Sequence, residues 1–354
     1  MFDIVNKTVL NTVVIDTTKQ PLFLGEGLSL QRYDKCKYEE FLMLFKKQLE
    51  FFWRPEEISV AKDRGDFKML SDYEKFIFTS NLKFQTLLDS VIARGIPCVT
   101  QYVSSPELEA CMNVWTVFET LHSYSYTYLI QNIFADPSEI MDNVLTDPEI
   151  LKRAESVRLA YDALNQQFEK EKDLKKQIYL TLVNINALEG LRFYVSFACA
   201  LAFKQNQKMC GNAAIIELIR RDEGVHLAIT QNILKILREV SSEGFQETIK
   251  ENEQSAINIF LEAAKEEKEW ATYLFKDGGL IGLNEKILHQ YIEYLTDNRL
   301  QGIGLPVQFN AKNPISWLDM DSKNKQPMPQ EVEITSYKIG ASVNDIDNMD
   351  FSEF

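Results

Sequence analysis

The sequence predicts a mainly α fold. Apolar residues recur at steps of three and four over long segments, no stretch alternates as a strand would, and Gly and Pro are few, 14 and 10 in 354 residues. Helix boundaries can be read along the chain. Residues 1–37 form an extended N-terminal segment, 38–303 the helical domain and 304–354 a flexible tail. Ser71 and Glu74 have capping-box spacing ahead of a helix containing Asp89, which should stop near Gly95 and Pro97. Ser105-Pro106 opens the next helix, with Glu119, and Asp136-Pro137 closes it. Asp147-Pro148 opens an amphipathic stretch to about residue 170, and 171–176 read as a charged link. A helix with Glu189 then runs to about Lys204. Cys210-Gly211-Asn212 breaks the pattern before the Glu223 helix, which runs to about Val240. Two further helical patterns, 244–275 and 284–301, are separated by Gly278-Gly279.

Two of the three histidines close the same Glu-x-x-His spacing, Glu119/His122 and Glu223/His226. Three residues along a helix bring a side chain back to nearly the same face, so each pair can present a carboxylate and an imidazole to one metal. A further carboxylate precedes each pair at a similar interval, Asp89 by 30 residues and Glu189 by 34. Four-helix bundles that hold two metals show this pattern, a carboxylate from two helices and Glu-x-x-His from the other two. The six groups lie on apolar stripes: Phe78, Leu82, Gln85, Asp89, Ile92; Met112, Trp115, Glu119, His122, Tyr126, Leu129; Leu182, Ile185, Glu189, Phe193, Phe197; and Ile216, Ile219, Glu223, His226, Ile233. Burying an unpaired charge costs several kcal/mol, so four inward carboxylates call for neutralisation. Two divalent cations supply matching charge, and mixed oxygen and nitrogen ligation suits iron or manganese better than a thiolate zinc site. His289 has no such company and reads as structural or surface.

Other classes are disfavoured. A net charge of −14 argues against a surface for a nucleic acid polymer, which needs clustered Lys and Arg. The longest apolar run, residues 193–203, falls short of the roughly 20 needed to span a bilayer, and the first residues lack signal-peptide character. Five cysteines, scattered and never in C-x-x-C spacing, fit free thiols in a reducing cytoplasm. In the tail, Pro306, Pro314, Pro327 and Pro329 punctuate a polar segment. The last 14 residues carry Asp345, Asp347, Asp350 and Glu353 without Lys or Arg, and Ile346, Met349, Phe351 and Phe354 suggest a peptide that orders on a partner.

A dimetal centre serves storage, oxygenation or radical generation, and the discriminating residue is Tyr126. It lies one turn past His122 on the metal-facing stripe. It reads either as a core tyrosine with a satisfied hydroxyl or, beside metals that reduce O2, as an oxidisable phenol. An iron-storage protein leaves Tyr126 and the acidic tail without a use. A purely structural bundle would have to bury its seam carboxylates without metal, and a dimetal oxidase acting on its own bound substrate would not need the tail.

Longer motifs carry a family resemblance. They are residues 51–57 (Phe-Phe-Trp-Arg-Pro-Glu-Glu), 81–90 (Asn-Leu-Lys-Phe-Gln-Thr-Leu-Leu-Asp-Ser), 119–126 (Glu-Thr-Leu-His-Ser-Tyr-Ser-Tyr), 186–197 (Asn-Ala-Leu-Glu-Gly-Leu-Arg-Phe-Tyr-Val-Ser-Phe), 221–226 (Arg-Asp-Glu-Gly-Val-His), and 329–333 (Pro-Gln-Glu-Val-Glu) with Ser336-Tyr337. In this order they resemble the small, radical-generating beta subunit of class I ribonucleotide reductase. The resemblance implies a ferritin-like helical bundle with two Fe ions per chain, Mn or mixed Mn/Fe being the alternatives. Asp89, Glu119 and His122 would bind one ion and Glu189, Glu223 and His226 the other, with Glu119 and Glu223 bridging. Tyr126 would hold a stable radical formed with O2. Trp53, Asp222 and His122 would carry the oxidising equivalent out of the core, with Tyr337 as relay on the tail and Glu331 coupling the subunits. By residue pattern alone Trp53, beside Phe51 and Phe52, reads as core packing, and Asp222 as the hydrogen-bond partner of an imidazole. The resemblance further implies a homodimer and a large-subunit partner, docked through the C-terminal tail, where ribonucleoside diphosphates are converted to 2'-deoxyribonucleotides.

Overall fold

The computed structural model describes residues 9–315, 317 and 318. Tyr337, Glu331 and the acidic end of the tail lie outside the described residues. Twelve α-helices occur among the described residues: α1 (Glu39–Glu50), α2 (Asp63–Met69), α3 (Asp72–Thr100), α4 (Pro106–Ile133), α5 (Pro137–Asp142), α6 (Pro148–Asp162), α7 (Glu171–Ala187), α8 (Tyr194–Gln205), α9 (Cys210–Glu239), α10 (Gln246–Glu251), α11 (Glu253–Leu274) and α12 (Glu285–Gly302). A five-residue π turn, Leu188–Arg192, joins α7 to α8. Extended pairing among the described residues is confined to two isolated bridges, Phe23 with Val103 and Leu280 with Leu283. No helix among them is long and apolar enough to cross a membrane.

The helix starts follow local chemistry. At α3 the Ser71 hydroxyl accepts from the Glu74 amide while the Glu74 carboxylate accepts from the Ser71 amide, a complete capping box. Ser105, Asp136 and Asp147 cap α4, α5 and α6, each followed by Pro at the first helical position, where a missing N–H costs nothing. The two Asp-Pro boundaries therefore arise from the same arrangement as the α4 start. α3 and α4 pack along their lengths, α7 and α9 complete the central four, and α11 and α12 close one side.

Five boundaries differ from the sequence reading. α3 runs through Gly95 and Pro97 to Thr100. Gly95 is a packing site, because a Cβ there would lie 2.4 Å from the Tyr161 ring of α6. Residues 171–176 are the first turns of α7, whose outer face carries charge, such as the Glu171–Lys175 pair, and whose inner face buries Leu174. The amphipathic stretch from Pro148 ends at Asp162, and the break before the Glu223 helix spans residues 206–209, where Gln207 and Met209 adopt left-handed φ of 57° and 51°. Gly211 lies inside α9 because its missing Cβ lets the backbone approach the Ser59 carbonyl, which an added Cβ would meet at 2.6 Å. The pattern over 244–275 resolves into α10 and α11, divided at Asn252.

Candidate metal centre

The four central segments converge their polar side chains on one buried point. Asp89 comes from α3, Glu119 and His122 from α4, Glu189 from the π turn, and Glu223 and His226 from α9, and all six are fully buried. They form two overlapping sets of candidate ligands. Asp89, Glu119, His122 and Glu223 make one, and Glu119, Glu189, Glu223 and His226 the other, each with its ligand atoms within 4.8 Å of one another. Glu119 and Glu223 belong to both, which is the placement a bridging carboxylate requires.

The imidazoles turn Nδ1 toward the carboxylates. His122 Nδ1 lies 3.2 Å from Glu223 Oε1, and His226 Nδ1 lies 2.9 Å from both Glu119 Oε1 and Glu223 Oε2. Without a cation the cluster has to share protons. Burial, followed by the negative charge of Glu119 and Glu223, pushes the Asp89 carboxyl well above its ordinary range. Burial and the same two neighbours, Glu223 first, do so for Glu189. Burial alone would lower both imidazoles, yet the bond to Asp222 raises His122 and the negative charge of Glu119 raises His226. Glu223 is held below its usual range against the burial effect by the closeness of Glu189 and of the two imidazoles, His226 bonding to its Oε2.

The buried polar atoms without hydrogen-bond partners test the fit to metal. Both oxygens of Asp89, both of Glu189, Glu119 Oε2, Glu223 Oε1 and His122 Nδ1 have none among the described residues. Leaving a buried polar group unpaired costs about 1–3 kcal/mol, more when charged, and here the orphans cluster in one small volume. Hard carboxylate oxygens with one imidazole per set form a donor array suited to a pair of iron or manganese ions.

Side chains around the cluster hold it in place. Trp115, one turn before Glu119, donates from Nε1 to Glu119 Oε1 at 2.7 Å and stacks on His226 with centroids 5.0 Å apart. On the outer side of His122, Nε2 lies 3.2 Å from Asp222 Oδ2, and Trp53 Nε1 donates to the same oxygen at 2.7 Å. Arg221 engages the other Asp222 oxygen and donates to the Phe51 carbonyl at 2.7 Å. The structure thus places Trp53, Asp222 and His122 in one hydrogen-bonded run that begins at the buried cluster.

Tyr126 is fully buried, and its hydroxyl has no hydrogen-bond partner among the described residues. Burial, then the charges of Asp89 and Glu223, pushes its phenol well above the ordinary value, so it is neutral and protonated at rest. A second buried phenol, Tyr161 on α6, also lacks a partner and is raised by burial and by the charges of Glu189 and Glu119. The sequence reading took Trp115 only as part of an apolar stripe and did not single out Tyr161 or the π turn. The signal for Tyr161 was its place on the Ile150, Ala154, Val157 stripe of α6, which looks like any core face. His289 sits near the surface, its Nε2 3.1 Å from the Lys268 carbonyl, away from the cluster.

Residues 31–314 match the family of ribonucleotide reductase small chains. The chain is 46% identical over 364 residues to ribonucleoside-diphosphate reductase subunit beta of Haemophilus influenzae, covering 96% of each chain. It is 39% identical over 376 residues to the corresponding subunit of Enterobacteria phage T4, covering 96% of this chain and 97% of that one. The ribonucleotide reductase R2 subunit from Clostridium botulinum has a similar structure, with a TM-score of 0.80 and 27% identity, over 90% of this chain and 99% of that one. Its architecture is the ferritin-like bundle expected above. With this fold, this cluster and these relatives, the chain belongs to the ribonucleotide reductase small chain family, the beta subunits of an oxidoreductase.

Proposed function

We propose that this chain holds two iron or manganese ions, uses them to activate O2, oxidises Tyr126 to a neutral radical, and passes the oxidising equivalent to a large subunit that reduces ribonucleoside diphosphates. The observation that carries the reading is the buried cluster of four carboxylates and two imidazoles with an unpartnered phenol one turn away on α4. Asp89, Glu119 and His122 would hold one ion and Glu189, Glu223 and His226 the other, Glu119 and Glu223 reaching both. Once bound, the metal pair supplies the electrons for O2 reduction and the oxidising power that the side chains lack.

The protein's own groups do the rest. Trp115 fixes Glu119 and flanks His226, so the donors are oriented before metal arrives. On this reading Tyr126 gives its phenolic proton to Asp89, the first charge the phenol senses, while its electron goes to the O2-derived oxidant. Phe193, Phe197 and Ile219, all buried in the same core, keep water from quenching the product. The Trp53–Asp222–His122 run supports a route outward, because Asp222 can balance charge at either ring as the equivalent moves. From Trp53 the path would continue through Tyr337 and, with Glu331, into the docked large subunit.

The tail, residues 304–354, is the docking element on this reading, and the chain acts as a homodimer in the cytoplasm. Support for the dimer comes from α4, a core helix that nonetheless exposes Val117 and Tyr124, about half of each surface being open. The test of the whole reading is the electron paramagnetic resonance spectrum of iron-loaded, O2-exposed protein beside Tyr126→Phe. The wild-type chain should show an organic radical that the variant lacks at equal iron content, and a signal unchanged by the substitution would refute the assignment.

A further inference from the structure

Glu189 is the one candidate ligand carried on a π turn. Such turns are rare within α-helices because the wider ring fits the backbone less well, so they persist where tertiary contacts hold them. Annealing Leu188–Arg192 to regular α geometry would change the rotation across the whole turn by about 100°, one residue's worth, and so re-aim Glu189, which lies within it. The other five ligands would stay in place.

Two arginines grip the turn. Arg192, within it, reaches Glu266 of α11 with Nη1 and donates from Nη2 to Ser156 Oγ of α6 at 3.0 Å. Arg299 of α12 donates from Nε to the Gly190 carbonyl at 3.2 Å and from Nη2 to the Tyr194 hydroxyl at 3.3 Å. Arg299 is 4% exposed and makes no ion pair among the described residues. The nearest carboxylate on its own helix, Asp297, is committed to the amides of Gln308, Phe309 and Ala311. A buried guanidinium matched only by a carbonyl and a phenol is costly as a stabilising device alone. Gly190 makes the contact feasible, since a Cβ there would lie 2.9 Å from Arg299 Cγ and 3.0 Å from Cδ and Nε.

We propose that Arg299 is a positioning residue for the Glu189 side of the metal pair: it clamps the π turn through the Gly190 carbonyl and so keeps Glu189 aimed at its ion. The proposal rests on the metal-pair reading, and it predicts an asymmetry. Only the set Glu119, Glu189, Glu223 and His226 depends on the clamp, whereas the set containing Asp89 and His122 does not.

The test is an anaerobic Mn(II) titration of the full chain, with bound ion read from loss of the free-ion paramagnetic resonance signal, together with amide hydrogen exchange over residues 188–194. Wild-type protein should bind two ions. Arg299→Met should weaken one of them by about tenfold or more, leave the other unchanged, and speed exchange over the turn. Arg299→Lys, which keeps a donor, should restore the weakened site. Gly190→Ala, which displaces the guanidinium but keeps its charge, should repeat the selective loss and covers the case in which Arg299→Met does not fold. Equal weakening of both ions, or two wild-type ions in Arg299→Met or Gly190→Ala, overturns the clamp. A wild-type chain that binds no pair overturns the metal reading itself, a result separate from either.

Discussion

Replacing Trp53 by Phe separates a transfer role from a packing role. Trp53 is fully buried, and its indole N–H makes a 2.7 Å bond to Asp222 Oδ2. Loss of a hydrogen bond to a charged group costs about 1.5–3 kcal/mol. The smaller ring leaves a void worth about 1 kcal/mol more. Asp222 retains His122 on the same oxygen and Arg221 on the other, which sets the loss near the lower end, about 2.5 kcal/mol. A urea unfolding curve should move by that amount without losing cooperativity. Metal content and the Tyr126 radical should survive, because neither ligand set includes Trp53. Turnover with the large subunit should fall by orders of magnitude. Full turnover in the variant would refute the outward route, and loss of metal or radical would reduce Trp53 to a structural support.

Three further outcomes are expected. Gly95→Ala should destabilise the chain by about 1–3 kcal/mol, since the new methyl meets the Tyr161 ring; an unchanged urea midpoint would contradict the packing account. Asp63→Ala should cost about 1–2 kcal/mol because the Asp63 carboxylate accepts from the Gly211 and Asn212 amides, at 3.1 and 2.5 Å, where α9 begins, and thermal melts of the metal-free protein would report it. Deleting residues 340–354 should abolish ribonucleotide reduction while leaving metal content and radical intact, and retained turnover would point to an oxidase that works alone.

Sequence pattern reached the helices and the inward stripes because both depend on short-range periodicity. The Ser71/Glu74 box and the Pro-led starts of α4 and α6 are decided within four residues, so they are visible locally. What escaped the sequence depends on distant partners. Pro97 was read as a stop, but a single proline near a helix end costs one hydrogen bond, and Gly95 packing on Tyr161 keeps α3 in line past it. The π turn is fastened by Arg192 to Glu266 and Arg299 to Gly190, contacts across 74 and 109 residues that leave no local signature. Trp115 looked like core because it is core, and only the structure shows its indole on Glu119. The charged start of α7 resembled a link because five of its first six residues are charged, while the helix is carried by Leu174 and the apolar turns after it.

The most direct measurement is an anomalous-scattering map of crystals of the chain grown with iron or manganese. Two peaks per chain, one among Asp89, Glu119, His122 and Glu223 and one among Glu119, Glu189, Glu223 and His226, are the predicted result. A map with no peak inside the bundle after reconstitution would contradict the claim that paired cations hold these buried acids and imidazoles together.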